Sequence, residues 1–134
     1  MIKLKYLKHI NILVLVVLLN GCSVIGAVKT FWPTPHDSAL AKGYIDTKMG
    51  VTDLDCSDKT SDKSNKLWEK TQYKARWLDT YADFRQDTQK ESTAAIVENL
   101  YKAHTAKSEK ACEIWINLVK ARMEVLDKAW KGRD

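Results

Sequence analysis

The sequence lacks the short motifs that accompany the common enzyme chemistries. It contains no G-x-S-x-G, no glycine-rich phosphate loop, no H-E-x-x-H and no C-x-x-C, the patterns of serine hydrolases, nucleotide-binding loops, zinc proteases and dithiol redox proteins. It also lacks any sustained alternation of apolar and polar residues, which is the pattern of a half-buried strand. We therefore predict an all-α protein that is not an enzyme and has no catalytic residues.

Carboxylates are present, but their pattern does not single out a reacting pair. Glu69, Asp79, Asp83 and Glu98 are interleaved with lysines, as is typical of a solvated helix face. The distance between two carboxylates in space is not visible in a sequence. A cell-wall-active enzyme of the glycosidase type therefore stays as a remote alternative.

The apolar run near the start of the chain is too short to span a membrane. It occupies residues 10–19 and is interrupted only by Asn11, and a helix of this length covers about 15 Å, roughly half of a bilayer core. Lys3, Lys5 and Lys8 form a positive segment before it. A basic head, a short apolar centre and small residues at its end are the parts of a secretory signal peptide, which we assign to residues 1–21.

The end of this run, within the stretch LVLVVLLNGCSVIG, is more specific. Residues 19–22 read Leu-Asn-Gly-Cys, and this resembles the lipobox of bacterial or phage-encoded lipoproteins. The resemblance is limited to the signal peptide and Cys22. It implies that the Cys22 thiol receives a diacylglycerol, that the chain is cut before Cys22, and that the new amino group is acylated; no other cofactor is predicted. Because Ser23 and not aspartate follows, it also implies a lipid anchor on the periplasmic face of the outer membrane.

The positive charge of the full chain belongs largely to the signal peptide. The chain has 22 Lys+Arg against 17 Asp+Glu, and removing the three signal-peptide lysines leaves 19 against 17. A chain with so small an excess of positive charge has no support as a nucleic-acid-binding protein, which needs a strongly basic face. We predict no nucleic-acid partner.

Residues 22–36 are predicted to be a lipidated tether. Pro33 and Pro35 fix their own φ angles and bias the residues before them toward extended forms, so no helix is expected to continue through this segment. Residues 37–134 are predicted to be one helical domain. Its first helix begins at Asp37 or Ser38, either of which supplies an N-capping oxygen.

The helical domain is predicted to contain about four helices. The first ends near Cys56, and the polar stretch 57–65 is predicted to be a loop. The second runs from about 65 to 84, with Phe84 toward the inside, and the third ends near His104, with Tyr101 as a further core candidate.

The fourth predicted helix has the clearest pattern in the chain. Its apolar residues recur at alternating spacings of four and three, which indicates a seam facing other helices. The seam consists of Cys112, Ile116, Val119, Met123, Leu126 and Trp130, and is widened by Trp115, Leu118 and Val125.

Two cysteines remain once lipidation is assigned to Cys22. An even number of cysteines in a secreted chain indicates a disulfide, so Cys56 and Cys112 are predicted to be joined, with two buried free thiols as the alternative. These cysteines and His36 and His104 show no ligand spacing, and no metal site is predicted. A Cys56–Cys112 bridge places the end of helix one and the start of helix four at the same pole, as in an up-down four-helix bundle.

The predicted function follows from the lipid anchor and the disulfide-bonded bundle. A disulfide-bonded bundle held by lipid at the outer membrane is expected to be a non-catalytic binding or assembly module, with the membrane and a periplasmic protein as its partners. Trp77 lies off the main apolar stripe of helix two and is the partner-binding candidate, since tryptophan is enriched at interface hot spots. The alternative is a phage or mobile-element lipoprotein that acts in host lysis, like an outer-membrane spanin, or in superinfection or entry exclusion.

Overall fold

The computed structural model describes residues 37–131. Cys22 and the predicted signal peptide and tether lie outside the described residues. Within them the chain forms α1 (Ser38–Thr52), α2 (Asp62–Phe84), α3 (Lys90–Thr105) and α4 (Glu109–Lys131). No strand occurs in this part of the chain, and the predicted all-α fold is confirmed.

The four helices pack in a ring, each against its neighbours in the chain, and α1 closes the ring on α4. At the closing contact the Tyr44 hydroxyl donates a hydrogen bond to the Met123 carbonyl oxygen at 3.1 Å. The Tyr44 ring also meets Trp130 edge to face, with 5.6 Å between the ring centroids. The aromatic pair and the buried hydrogen bond tie the first helix to the last.

Asp37 ties the start of α1 to the end of α2. Its Oδ1 accepts the N–H groups of Ala39 and Leu40 at 2.9 and 3.2 Å, so it is the N-cap that the sequence predicts. Its Oδ2 accepts the Tyr81 hydroxyl at 3.2 Å and lies 3.2 Å from Nε of Arg85. Burial opposes ionisation of Asp37, but these hydrogen bonds and the Arg85 charge hold its pKa below the usual range.

The loop between α1 and α2 is shifted from its predicted position. α1 ends at Thr52, before Cys56, and α2 begins at Asp62, inside the stretch predicted to be loop. The earlier start of α2 has a local cause, because the Ser61 hydroxyl accepts the N–H of Ser64 at 3.2 Å and caps the helix.

The turn after α2 is closed by a C-terminal capping motif that uses a non-glycine residue. Gln86 has a φ of 51°, which is the left-handed conformation that usually requires glycine. The N–H of Asp87 donates to the Ala82 carbonyl and the N–H of Gln86 to the Asp83 carbonyl, both at 2.9 Å. These two bonds are the Schellman pattern, which satisfies the last carbonyls of α2 and turns the chain toward α3.

The core is built from one face of each helix. The α4 seam is confirmed from Cys112 to Leu126, because Cys112, Ile116, Val119, Met123 and Leu126 are all buried. Its last predicted member, Trp130, and the flanking Trp115 are partly buried and pack against the core. The other buried apolar residues are Leu40, Tyr44, Val51, Trp68, Ala75, Leu78, Ala82, Ile96, Leu100 and Ala103.

Four apolar side chains predicted to face the core lie at the surface instead. Phe84 is 79% exposed, and Tyr101, Leu118 and Val125 are also exposed. Phe84 is about 200° around α2 from the buried Ala82, so it points away from the bundle. Leu118 and Val125 are exposed because α4 contacts only α1 and α3, which cover a stripe narrower than the apolar face of α4.

The disulfide between Cys56 and Cys112 is confirmed, with a Cα–Cα distance of 5.7 Å. It joins the loop after α1 to the first turn of α4, so these two ends share a pole as predicted. The up-down order of the four helices follows from this bridge together with the antiparallel contact of α1 and α2 at Asp37.

Candidate docking groove between the first two helices

Trp77 lies on α2 at its contact with α1, directly over Gly43. A Cβ atom placed on residue 43 would lie 2.5 Å from Cζ3 and 2.9 Å from Cε3 of Trp77, so no larger residue fits without moving the indole. Glycine inside a helix costs about 1 kcal/mol relative to alanine. At this position it allows the six-membered ring of the indole to approach α1 closely while 42% of the residue stays exposed.

Trp77 belongs to a row of aromatic side chains along the outer face of α2. We call Tyr73, Trp77, Tyr81 and Phe84 the aromatic row; their spacings of four, four and three place them on one face of the helix. The Trp77 and Tyr81 rings stack in parallel, with centroids 5.2 Å apart, and Tyr81 meets Phe84 at 6.4 Å.

The aromatic row is fixed to its surroundings at its centre and exposed at its ends. Tyr81 is held by its hydrogen bond to Asp37, and Trp77 by its contact with Gly43. Tyr73 is 64% exposed at one end, and Phe84 is 79% exposed at the other. The row therefore presents apolar surface whose central rings are already positioned.

A groove of about 350 Å³ opens beside Trp77 between α1 and α2. We call it the docking groove. Its lining residues are Lys42, Gly43, Asp46, Tyr73, Lys74 and Trp77.

The charges in the docking groove are two lysines and one aspartate. Nζ of Lys42 lies 2.5 Å from Oδ2 of Asp46, while Nζ of Lys74 reaches only the main-chain carbonyl of Asp46, at 3.4 Å. The hydrogen bond from Lys42 and the charges of both lysines lower the pKa of Asp46, so this carboxylate is ionised at neutral pH. The groove carries a net charge of about +1 by this count of ionised groups.

His104 packs against the core through its imidazole ring. Its ring stacks on the buried Trp68 at 5.0 Å, with 4° between the ring planes, and its Nδ1 is 3.0 Å from Nε2 of Gln72. Burial lowers the pKa of His104, the charge of Lys59 lowers it further, and Glu69 acts in the opposite direction. His104 is therefore neutral at neutral pH and serves as an aromatic surface.

The carboxylates of the acidic loop between α1 and α2 accept hydrogen bonds from serines of the same segment. Asp55 accepts the N–H and hydroxyl of Ser57, and Asp58 accepts the N–H and hydroxyl of Ser61. Among residues 37–131, no group of three or more His, Cys, Asp or Glu side chains is arranged to hold a metal ion. None of the helices described here is long and apolar enough to cross a membrane.

The sequence pattern indicated Trp77 as a partner-binding candidate but did not indicate the residues that surround it in the groove. In the sequence, Gly43 indicates only a residue of low helix propensity in helix one, because the sequence does not show which side chain lies against it. The spacing of Tyr73, Trp77 and Tyr81 was visible and could have indicated an aromatic row.

Partner binding by Trp77 stays a prediction, as does lipidation of Cys22, which lies outside the described residues. Comparisons of this chain with protein-family models, with curated proteins and with solved structures give no match.

Proposed function

We propose that this protein is an outer-membrane-anchored periplasmic lipoprotein that acts as a non-catalytic protein-binding or assembly module. The observation that carries the proposal is the position of Trp77, held over Gly43 with 42% of the residue exposed. A large aromatic ring that is already ordered loses little conformational entropy on binding. Tryptophan and tyrosine are also the residues most often found at the energetic centre of protein interfaces.

The disulfide supports the proposed compartment. Stable disulfides form in the bacterial periplasm and other oxidising environments and are rare in the cytosol. The Cys56–Cys112 bridge agrees with export of the chain, which the signal peptide and the lipobox resemblance independently favour. The lipid anchor on Cys22 is the part of the proposal that depends on the sequence alone.

A pair of exposed tyrosines provides a matched test of the docking groove. Tyr73 lines the groove and is 64% exposed, whereas Tyr101 lies on α3 and is 63% exposed. We would replace each in turn with a photo-crosslinking phenylalanine analogue in living cells, using the full chain. A discrete cross-linked protein is expected from position 73 and not from position 101.

Two variants separate binding from folding in this experiment. Trp77→Ala removes the central ring of the aromatic row, and the cross-link from position 73 is expected to disappear while the helical circular dichroism remains. Because Trp77 also packs on Gly43, Lys74→Ala provides a second groove variant with less effect on packing. Equal cross-linking from positions 73 and 101, or none from either, would refute the docking groove.

A further inference from the structure

We propose that the partner presents an acidic peptide segment to the docking groove, with carboxylates beside an aliphatic or aromatic side chain. This inference rests on the proposed binding function and specifies the chemistry of the partner. The apolar side chain would contact the exposed part of the Trp77 indole, and a carboxylate would pair with Lys74.

The first argument is the unpaired charge of Lys74. Within residues 37–131 its ammonium group has no carboxylate within ion-pair distance, and its recorded acceptor is the carbonyl of Asp46 at 3.4 Å. Lys70 lies one helical turn away on the same side of α2 and also forms no ion pair in this part of the chain. The α2 side of the groove therefore offers one cation, Lys74, to a partner's carboxylate, and Lys70 offers a second one turn beyond the groove.

The second argument is that Lys74 adjoins apolar surface, of which the Trp77 ring is held by its contact with Gly43. Lys74 follows Tyr73 in the chain and lies one turn before Trp77, and all three line the same groove. A partner that supplied only negative charge would leave the faces of Tyr73 and Trp77 in water. A partner that supplied only apolar side chains would desolvate Lys74 without pairing it, which is unfavourable. A complementary partner segment therefore carries both negative charge and an apolar side chain.

The third argument distinguishes a peptide from a dense polyanion. Asp46 lies in the groove, and the hydrogen bond from Lys42 and the neighbouring lysine charges favour its ionised form. A phosphate-rich polymer would place several negative charges near this carboxylate, and the repulsion would oppose binding. A peptide can space its carboxylates so that they reach Lys74 and Lys70 and avoid Asp46.

A peptide selection tests the proposed chemistry directly. The probe is a phage-displayed library of randomised peptides, selected on the full-length protein purified in detergent. Selected peptides are expected to be enriched in Asp and Glu next to Leu, Phe, Tyr or Trp. Synthetic fluorescein-labelled copies would then be titrated by fluorescence anisotropy, and their affinity is expected to fall as salt is added.

Charge reversal in the groove has a matched control on another helix. Lys74→Glu is expected to weaken the selected peptides by about tenfold or more, because it replaces attraction with repulsion. Lys110→Glu, at an exposed lysine on α4 that forms no ion pair within the described residues, is expected to leave affinity unchanged. Circular dichroism of both variants shows whether each has kept its fold.

The possible outcomes separate the partner chemistry from the docking function. Neutral or basic selected peptides, no selected peptides, or acidic peptides that bind Lys74→Glu as well as the parent would overturn the acidic-segment proposal. If position 73 still gives a cross-link that depends on Trp77, the docking function stands without that chemistry. If purified peptidoglycan binds with the same dependence on Trp77 and Lys74, the partner is a glycan and both proposals for a protein partner fail.

Discussion

Gly43 and Trp77 are packed so closely that a single methyl group on residue 43 would overlap the indole. The distance from that Cβ position to Cζ3 of Trp77 is 2.5 Å, and the next nearest side chain, Leu78, is 3.3 Å away. The absence of a side chain at residue 43 thus determines where the indole lies. It also creates the α1 wall of the docking groove.

Gly43→Ala is expected to destabilise the protein even though alanine is the better helix former. The gain in helix propensity is about 1 kcal/mol, but overpacking against a ring and a helix backbone costs about 1–3 kcal/mol. The indole is expected to move outward, which changes its fluorescence. Urea unfolding followed by circular dichroism measures the change in the free energy of unfolding.

A double-mutant cycle isolates the contact between these two residues. In a Trp77→Ala background, Gly43→Ala is expected to be neutral or stabilising, because the obstructing ring is absent and the propensity gain remains. If Gly43→Ala has the same effect in both backgrounds, Trp77 does not depend on Gly43 for its position.

Leu126→Ala and Leu118→Ala form a matched pair on α4. Leu126 is fully buried and Leu118 is 44% exposed, so the same substitution tests two faces of one helix. Leu126→Ala is expected to cost about 2–5 kcal/mol through lost burial and a cavity, and Leu118→Ala about 0.5 kcal/mol or less. Thermal unfolding monitored by circular dichroism compares them. A neutral Leu126→Ala would mean that this face of α4 is not in the core.

Gln86→Gly is expected to stabilise the protein by up to about 1 kcal/mol. The left-handed backbone conformation at Gln86, with φ of 51°, destabilises a residue that has a Cβ by about 1–2 kcal/mol. Glycine avoids this strain, but part of the gain is lost because glycine has greater conformational freedom in the unfolded chain. Gln89→Gly is the comparison, because Gln89 has an ordinary φ of −100°. Glycine there relieves no left-handed strain, and as the N-cap residue of α3 it is expected to give at most a smaller gain. Equal shifts of the urea midpoint for both variants would contradict this account of the turn.

Stability is expected to fall on acidification as His104 begins to take up a proton. Its pKa in the folded protein lies below the ordinary value of 6.5 because it is buried. The unfolded chain therefore binds a proton first as the pH falls through 6.5, and the free energy of unfolding decreases until the lower, folded-state pKa is passed. Above 6.5 the histidine is neutral in both states and contributes no pH dependence.

His104→Phe provides the comparison for this pH effect. Phenylalanine keeps an aromatic ring against Trp68 but does not titrate, so the decrease in unfolding free energy between about pH 7 and about pH 5.5 is expected to become smaller. Urea unfolding at the two pH values measures it. If the unfolding free energy of His104→Phe decreases by the same amount between the two pH values, groups other than His104 cause the pH dependence.

Cys22→Ser tests the proposed anchor. Serine supplies no thiol for a diacylglycerol, so the variant is expected to lose labelling by radioactive palmitate and to leave the outer-membrane fraction. Cys56→Ser is a suitable control, since Cys56 is committed to the disulfide and its loss affects folding and not acylation. A Cys22→Ser protein that still sediments with outer membranes would refute the lipoprotein assignment.

Sequence periodicity determined the helical class and the core seam of α4 of this protein. The α4 seam repeats at helical spacing and is confirmed from Cys112 to Leu126, because a helix must bury its widest apolar stripe wherever it packs. The start of α1 at Asp37 was also predictable, since a capping oxygen acts on N–H groups only two and three residues away. Features of this kind depend on neighbours in the chain.

Only the tertiary structure decided which apolar side chains stay in water and which residues meet to form the docking groove. Phe84 and Leu118 are as apolar as the core residues, and they are exposed because each helix is covered by two neighbours and not by three. Gly43 and Trp77 lie on different helices, so their contact depends on how α1 and α2 pack together. Composition and periodicity describe each helix separately, whereas the space between two helices depends on the side chains of both helices and on how they pack.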